Sequence, residues 1–169
     1  MFYGENRLTI PRVQVGRMIG LLEILQDFKG KVDLAKVAEE LRLELDDILP
    51  AVDAAKLLRL LQVDTGDLIL TEDGKMLLSN NASGRKKMLN KTLSSLGEFK
   101  GITDFIKNDH GGEITKDELI GFIKENMPDV DAEQTFSWIV EWGRYSLLLR
   151  YDSGSEKIKI TQKSTSSKE

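Results

Sequence analysis

The chain has no cysteine and a single histidine among its 169 residues. Without cysteine there can be no disulfide, no thiolate metal site and no cysteine nucleophile. One histidine then leaves too few nitrogen and sulfur ligands for a zinc centre. No apolar run approaches the roughly 20 residues that a membrane-spanning helix needs. Residues 1–16 carry polar and charged groups throughout and lack the apolar centre of a signal peptide. These absences lead us to expect a cytoplasmic protein in a reducing compartment. Positive charge is also in deficit, with 24 Lys and Arg against 28 Asp and Glu, a net charge of −4. Such a chain gains nothing globally from approaching phosphate backbones, although a local basic patch still can.

What is present is a layout stated twice. Val15, Met18, Ile19, Leu22, Leu25 and Phe28 recur at three- and four-residue intervals, which predicts one face of a helix that stops at Gly30. Asp33 is placed to cap a helix over 34–42, with Leu34, Val37, Ala38 and Leu41 inward. Asp46 or Asp47 is expected to cap the next helix, which runs to about residue 60 with Ile48, Val52, Ala55 and Leu58 buried. Pro50 falls in its first turn, where the missing N–H does little harm. The period then changes. Leu61 and Val63, then Asp64-Thr65-Gly66-Asp67, then Leu68, Ile69 and Leu70 predict a β-hairpin turning at the glycine. Thr71 caps a helix over 72–79, and residues 80–84 form a polar break before a helix over about 85–96.

The second half repeats this order. Phe99, Ile102, Phe105 and Ile106 predict a helix ending near Asn108, and Asp109-His110-Gly111-Gly112 a turn. Thr115 and Glu118 have capping-box spacing for a helix over 116–126, and Asp131 and Gln134 begin another in the same manner, to about residue 145. Stretches 146–151 and 156–161 alternate as strands around Asp152-Ser153-Gly154-Ser155. Short helices, a last helix and then a hairpin are the layout of a winged helix. We therefore expect an α+β, mostly helical fold of tandem winged-helix units. A lead-in over 1–14 precedes one unit over 15–80, and a connecting helix within 81–98 leads to a second unit over 99–161. A disordered tail closes the chain over 162–169. The halves match in element order, not in residue identity.

Winged helices commonly read DNA by laying their last helix in the major groove, with Arg, Lys, Asn or Gln on the base edges. Both candidate reading helices are acidic here. Residues 44–60 carry Glu44, Asp46, Asp47 and Asp53 against Lys56 and Arg59, and 129–145 carry Asp129, Asp131, Glu133 and Glu141 against Arg144. The first wing adds Asp64, Asp67, Glu72 and Asp73 and no base. Duplex binding through these elements is disfavoured by like charge. Arg85, Lys86, Lys87 and Lys91 form the largest local positive cluster. Its plainer reading is a solvated helix face; its functional one is a dock for an acidic partner or a phosphate. Lys157, Lys159 and Lys163 alternate on the last strand, where edge lysines guard against aggregation. Trp138, Trp142 and Tyr145 sit at i, i+4 and i+7, on a helix whose other face is Ala132, Phe136, Ile139, Val140 and Gly143. The stripe reads as core or as a seam between the halves, and alternatively as an aromatic anchor for another protein. No nucleophile triad, phosphate loop or dinucleotide fingerprint is present. We expect no enzyme, no cofactor and no metal.

From about Pro11 to Thr161 the chain resembles the C-terminal AAA-associated domain that follows the ATPase domain in ABC-transporter ATP-binding proteins of the nitrate, sulfonate and taurine import type. The matching stretches are Val15-Gly16-Arg17-Met18-Ile19-Gly20-Leu21-Leu22-Glu23, Asp46-Asp47-Ile48-Leu49-Pro50 and Leu70-Thr71-Glu72-Asp73-Gly74. The most distinctive is Trp142-Gly143-Arg144-Tyr145 followed by Tyr151-Asp152. The resemblance implies a cytoplasmic accessory or regulatory domain and carries over no catalytic residue. The sequence holds no ATPase before it, so the expectation is either a free-standing homologue or a piece of a longer chain, with Met1 and the short lead-in favouring the former. The leading expectation is thus a non-catalytic regulatory or protein-interaction module associated with an ABC-type transporter ATPase, or with itself. Its partner contacts are expected at Trp138, Trp142, Arg144, Tyr145, Arg85, Lys86, Lys87 and Lys91. The alternative is a winged-helix transcription regulator. A third is a small-molecule sensor with a pocket between the halves near Trp138 and Trp142.

Overall fold

A computed structural model describes residues 10–161. The expected tail, most of the lead-in and Lys163 lie outside the described residues; Ile10 and Val13 are buried. The fold is α+β and mostly helical, with two three-stranded antiparallel sheets. The chain divides into two compact units. One is Pro11–Met88; the other comprises the described residues from Leu89 onward, with Ile10. Among the described residues no helix is long and apolar enough to cross a membrane.

The N-terminal unit begins with α1 (Val15–Asp27), which buries Val15, Met18, Ile19, Leu21, Leu22 and Leu25. The chain then turns through Lys29 and Gly30, at φ 63° and 91°. The Gly30 amide donates to the Leu25 carbonyl at 2.7 Å, and its carbonyl accepts from the Leu70 amide at 2.7 Å. The helix end is thereby satisfied and a strand, β1 (Lys31–Asp33), starts at once. That strand is absent from the sequence reading. Asp33 caps α2 (Leu34–Leu41), its carboxylate accepting from the Ala35 and Lys36 amides at 3.0 and 3.4 Å. The cap of α3 (Leu45–Leu57) differs from expectation. Its N-cap is Glu44, without a side-chain bond, and Asp46 and Asp47 sit in the first turn. The cause lies upstream. Arg42 turns the chain in the left-handed region at φ 57°, and the Leu43 amide returns to the Ala38 carbonyl at 3.0 Å, so the helix starts before either aspartate can cap it. Both still favour the positive helix end.

Strands β2 (Leu61–Asp64) and β3 (Asp67–Leu70) close a hairpin through Thr65 and Gly66, at φ 52° and 87°. Two positive φ values are the signature of the tight turn that matches strand twist. The strand order is β1-β3-β2, with Leu68 wholly buried between Val32 and Val63. Thr71 caps α4 (Glu72–Ser79) by accepting from the Gly74 amide at 3.0 Å. Helix α5 (Ala82–Ser94) begins three residues before the expected start at Arg85, because the Asn81 side chain caps it through the Gly84 amide at 2.8 Å.

The same element order recurs in the C-terminal unit. Helix α6 (Gly97–Asp104) widens into a π turn, Phe105–Asp109, where Phe105 stacks on Phe122 at 4.0 Å and meets His110 edge-on. Gly112, at φ 95°, donates to the Ile106 carbonyl and accepts from the Ile160 amide, both at 2.8 Å. Strand β4 (Glu113–Thr115) follows, again unforeseen. The Thr115–Glu118 capping box opens α7 (Lys116–Asn126), and the Asp131 carboxylate accepts from the Gln134 amide at 3.0 Å to open α8 (Ala132–Tyr145). The Lys116 amide reaches the Glu156 carbonyl at 2.9 Å, as the Leu34 amide reaches the Gly66 carbonyl at 2.9 Å.

Strands β5 (Leu149–Asp152) and β6 (Lys157–Ile160) are shorter than expected, since residues 146–148 form the exit from α8. The order β4-β6-β5 places β6 in the middle of its sheet. The lysines of this strand are therefore not edge guards. Lys157 and Lys159 lie 3.4 and 4.0 Å from the Glu113 carboxylate on the neighbouring strand.

The glycines give a test with opposite signs. A Cβ at Gly112 meets nothing within 4 Å, and at Gly30 only ordinary contacts, so alanine at either site is penalised through φ alone. Urea unfolding should show Gly30→Ala and Gly112→Ala destabilised by about 1–2 kcal/mol. Gly121→Ala, in α7 with equally open space, should instead stabilise by up to about 1 kcal/mol. Equal effects at all three would contradict the turns.

The capping box predicts an acid response. The Thr115 amide and hydroxyl both donate to the Glu118 carboxylate and hold its pKa below the ordinary 4.5, with His110 adding a smaller pull. A pKa lower in the folded than in the unfolded chain means that the stabilisation is complete above the unfolded value. It is lost as pH falls through the folded value. A carboxyl NMR titration should find Glu118 below 4.5, and Thr115→Ala should move it back up.

Candidate functional site

Helix α8 carries four of the eight candidate residues, and its rotation decides which of them face outward. Ala132, Phe136, Ile139 and Val140 are buried, as the spacing predicts. Trp142 joins them with no exposed surface. It cannot touch a partner in this conformation and serves as core. Trp138 and Tyr145, one turn to either side, are half-buried, and Arg144 is exposed. Gly143 lies so close to β5 that an added Cβ would come within 2.6 Å of the Leu149 Cγ. The helix leaves through Leu147 at φ 65°, with the Leu148 amide returning to the Gly143 carbonyl at 2.8 Å. Ser146, 1% exposed, donates its hydroxyl to the Trp142 carbonyl at 2.8 Å, and its own carbonyl accepts from the Asn90 side-chain amide on α5 at 3.0 Å. Nothing in the sequence pattern marks Asn90 or Ser146.

Beside this exit lies a cleft of about 530 Å³, lined by Lys116, Phe136, Ser137, Val140, Glu141, Arg144, Tyr145 and Tyr151. It belongs to the C-terminal unit alone, whereas the sensor reading placed a pocket between the halves. Phe136 and Tyr151 meet edge to face at 5.5 Å. The Lys116 ammonium lies 5.4 Å from the centre of the Phe136 ring and 3.6 Å from the Glu133 carboxylate. Sequence reasoning had found Arg144 and Tyr145; it missed Lys116, Phe136 and Tyr151 as neighbours, because they arrive from α7, the inner face of α8 and β5.

The basic cluster is not one surface. Arg85 donates through Nε and Nη2 to the Leu77 and Leu78 carbonyls at 3.1 and 2.9 Å, satisfying the last turn of α4. Lys87 and Lys91 are exposed and Lys86 half-buried. Among the described residues no group of His, Cys, Asp or Glu is placed to hold a metal ion.

The family model of the C-terminal AAA-associated domain matches residues 35–152, well over half of the chain. The chain belongs to that family. No curated protein and no solved structure matches it. The matched span runs from α2 to the end of β5 and contains every residue of the cleft, while the Val15–Glu23 stretch falls outside it. Within the most distinctive family-like stretch, roles separate cleanly. Trp142 fills the core, Gly143 admits Leu149, and Arg144, Tyr145 and Tyr151 line the cleft. Asp152 organises the hairpin loop by accepting from the Ser155 hydroxyl at 2.8 Å and the Gly154 amide at 3.2 Å, which lowers its pKa.

The chain has two tryptophans, so each reports alone when the other is replaced. Trp138→Phe, which leaves Trp142, should emit at short wavelength and resist iodide quenching. Trp142→Phe, which leaves Trp138, should emit further to the red and be quenched. Equal quenching of the two variants would refute the rotation of α8 described above.

Proposed function

We propose that this protein is a non-catalytic interaction module of the cytoplasm that docks on the ATPase of an ABC-type transporter, of the nitrate, sulfonate and taurine import kind. Each unit is read as a winged helix. The order helix, strand, helix, helix, hairpin, with the hairpin's second strand central, supports that reading. Family membership supports the partner class.

The observation that carries a protein ligand over a nucleic acid is the outer face of α3. A duplex reader needs cations and amides there. This face instead exposes Leu45 and Leu49, 45% and 38% accessible, among Glu44, Asp46, Asp47 and Asp53. Exposed leucines gain nothing from a phosphate backbone, and the acids are repelled by it; both suit a protein surface. The contacts we assign to the partner are Trp138, Arg144 and Tyr145, with Lys86, Lys87 and Lys91 as a secondary basic surface. Trp142 and Arg85 act within the fold.

A pull-down from native lysate with and without nuclease, read by mass spectrometry, tests this. Transporter ATPase or permease components should survive nuclease treatment. Loss of every partner on nuclease treatment would make nucleic acid the ligand and sink the reading. In parallel, fluorescence anisotropy with duplex DNA at physiological salt should find nothing tighter than non-specific binding, about 10⁻⁴ to 10⁻⁶ M.

A further inference from the structure

We propose that the cleft beside α8 receives a short acidic segment of the partner protein, with one aromatic side chain seated against Tyr151 and one carboxylate on Arg144. The inference rests on the protein-interaction reading above and names the chemistry of the segment that docks.

Charge decides the sign of the ligand. The lining carries Lys116 and Arg144 with the carboxylate of Glu141, and Glu133 beside it pairs with Lys116, so the cation left for a ligand is Arg144. Lys116 is already shared between Glu133 and the face of Phe136. Arg144 differs. Among the described residues its guanidinium makes no ion pair or hydrogen bond, yet it stands at the rim of a concave site. A planar guanidinium offers two parallel donors that match a carboxylate.

Aromatic lining decides the rest. Half-buried Tyr151 presents ring surface to the cleft, held edge to face on the buried Phe136, and half-buried Tyr145 adds a second ring. A bare inorganic anion would leave that surface uncovered, whereas a further ring covers it at the usual aromatic spacing. An open cleft flanked by an exposed helix face gives an extended segment room to enter and leave. A small molecule would gain more from enclosure.

Two synthetic peptides of equal length test this, one with Phe flanked by Asp and Glu, its twin with Phe flanked by Asn and Gln. Titration of the full chain followed by NMR should map the acidic peptide to Lys116, Arg144, Tyr145 and Tyr151. It should bind at least about tenfold more tightly than the twin. Arg144→Glu should abolish that preference, and Tyr151→Ala should weaken both peptides. Arg144→Gln, with an unchanged amide spectrum elsewhere, serves where the charge reversal disturbs the fold. Binding of neither peptide, equal binding of the twin, shifts outside the cleft, or benzoate binding as tightly as the peptide would each overturn the proposal. The pull-down separates the two claims. If the Arg144→Glu chain captures the transporter ATPase as well as the wild type does, the cleft assignment falls and the partner reading stands. If the acidic peptide binds as described and the wild-type chain captures no ATPase, the cleft assignment stands and that partner falls.

Discussion

Each unit depends on one glycine whose amide and carbonyl make hydrogen bonds in diverging directions. Gly30 and Gly112, at φ 91° and 95°, each give their amide to the end of the preceding helix and offer their carbonyl to the central strand of the sheet. A helix end leaves carbonyls without partners, and a strand beginning beside it needs a partner for its own ladder. A residue at negative φ cannot aim both groups correctly at once; glycine can, at little steric penalty. The first helix, the short strand and the central strand are thereby locked to one another. The second helix is then pinned to the hairpin tip by the amides of Leu34 and Lys116, on the carbonyls of Gly66 and Glu156. Strands of three residues, β1 and β4, could not persist without such anchorage, since so short a ladder does not offset its own ordering entropy.

That arrangement also explains which parts of the fold were legible in the sequence. N-terminal helix boundaries were, because a cap is a chemical mark: Asp33, Thr71, Thr115 and Asp131 each present a side-chain oxygen to an otherwise unpaired amide. Most C-terminal boundaries were too, at Leu41, Ser79, Asn126 and Tyr145, while α1 and α3 stop about three residues early, at Asp27 and Leu57. What the sequence did not show is how they close: Arg42, Arg59 and Leu147 take the left-handed conformation usually left to glycine, and α2, α3 and α8 close by the same return bond, to Ala38, Ala55 and Gly143. The short strands escaped because three residues carry no readable alternation. With β4 unseen, β6 could only be taken as an edge. The candidate site divided along the same line. Arg144 and Tyr145 stood out as part of a local motif, while Lys116, Phe136 and Tyr151 meet them only through the tertiary fold.

The two units share this backbone frame and differ in what it displays. On α3 the outer face is acidic with exposed leucines; on α8 it ends in a guanidinium beside three aromatic rings. The frame alone does not choose a ligand, and surface chemistry does. One backbone arrangement thus carries two outer faces of different chemical character.

The order of residues at the end of α8 follows from the same logic. Successive helical residues are rotated by about 100°. Placing Trp142 wholly in the core and Gly143 against Leu149 fixes the helix in rotation and in depth, because a tryptophan cannot slide within a packed interior and a Cβ at 143 would collide with β5. Arg144 then has no choice of direction, and Tyr145 follows it to the rim of the cleft. Ser146 ties off the helix with a buried hydroxyl, and Asn90 holds that turn from α5. The side chains that face solvent are in this way positioned by neighbours that do not. A partner meeting Arg144 and Tyr151 would encounter groups already oriented by the core, so little ordering entropy would be charged against the contact.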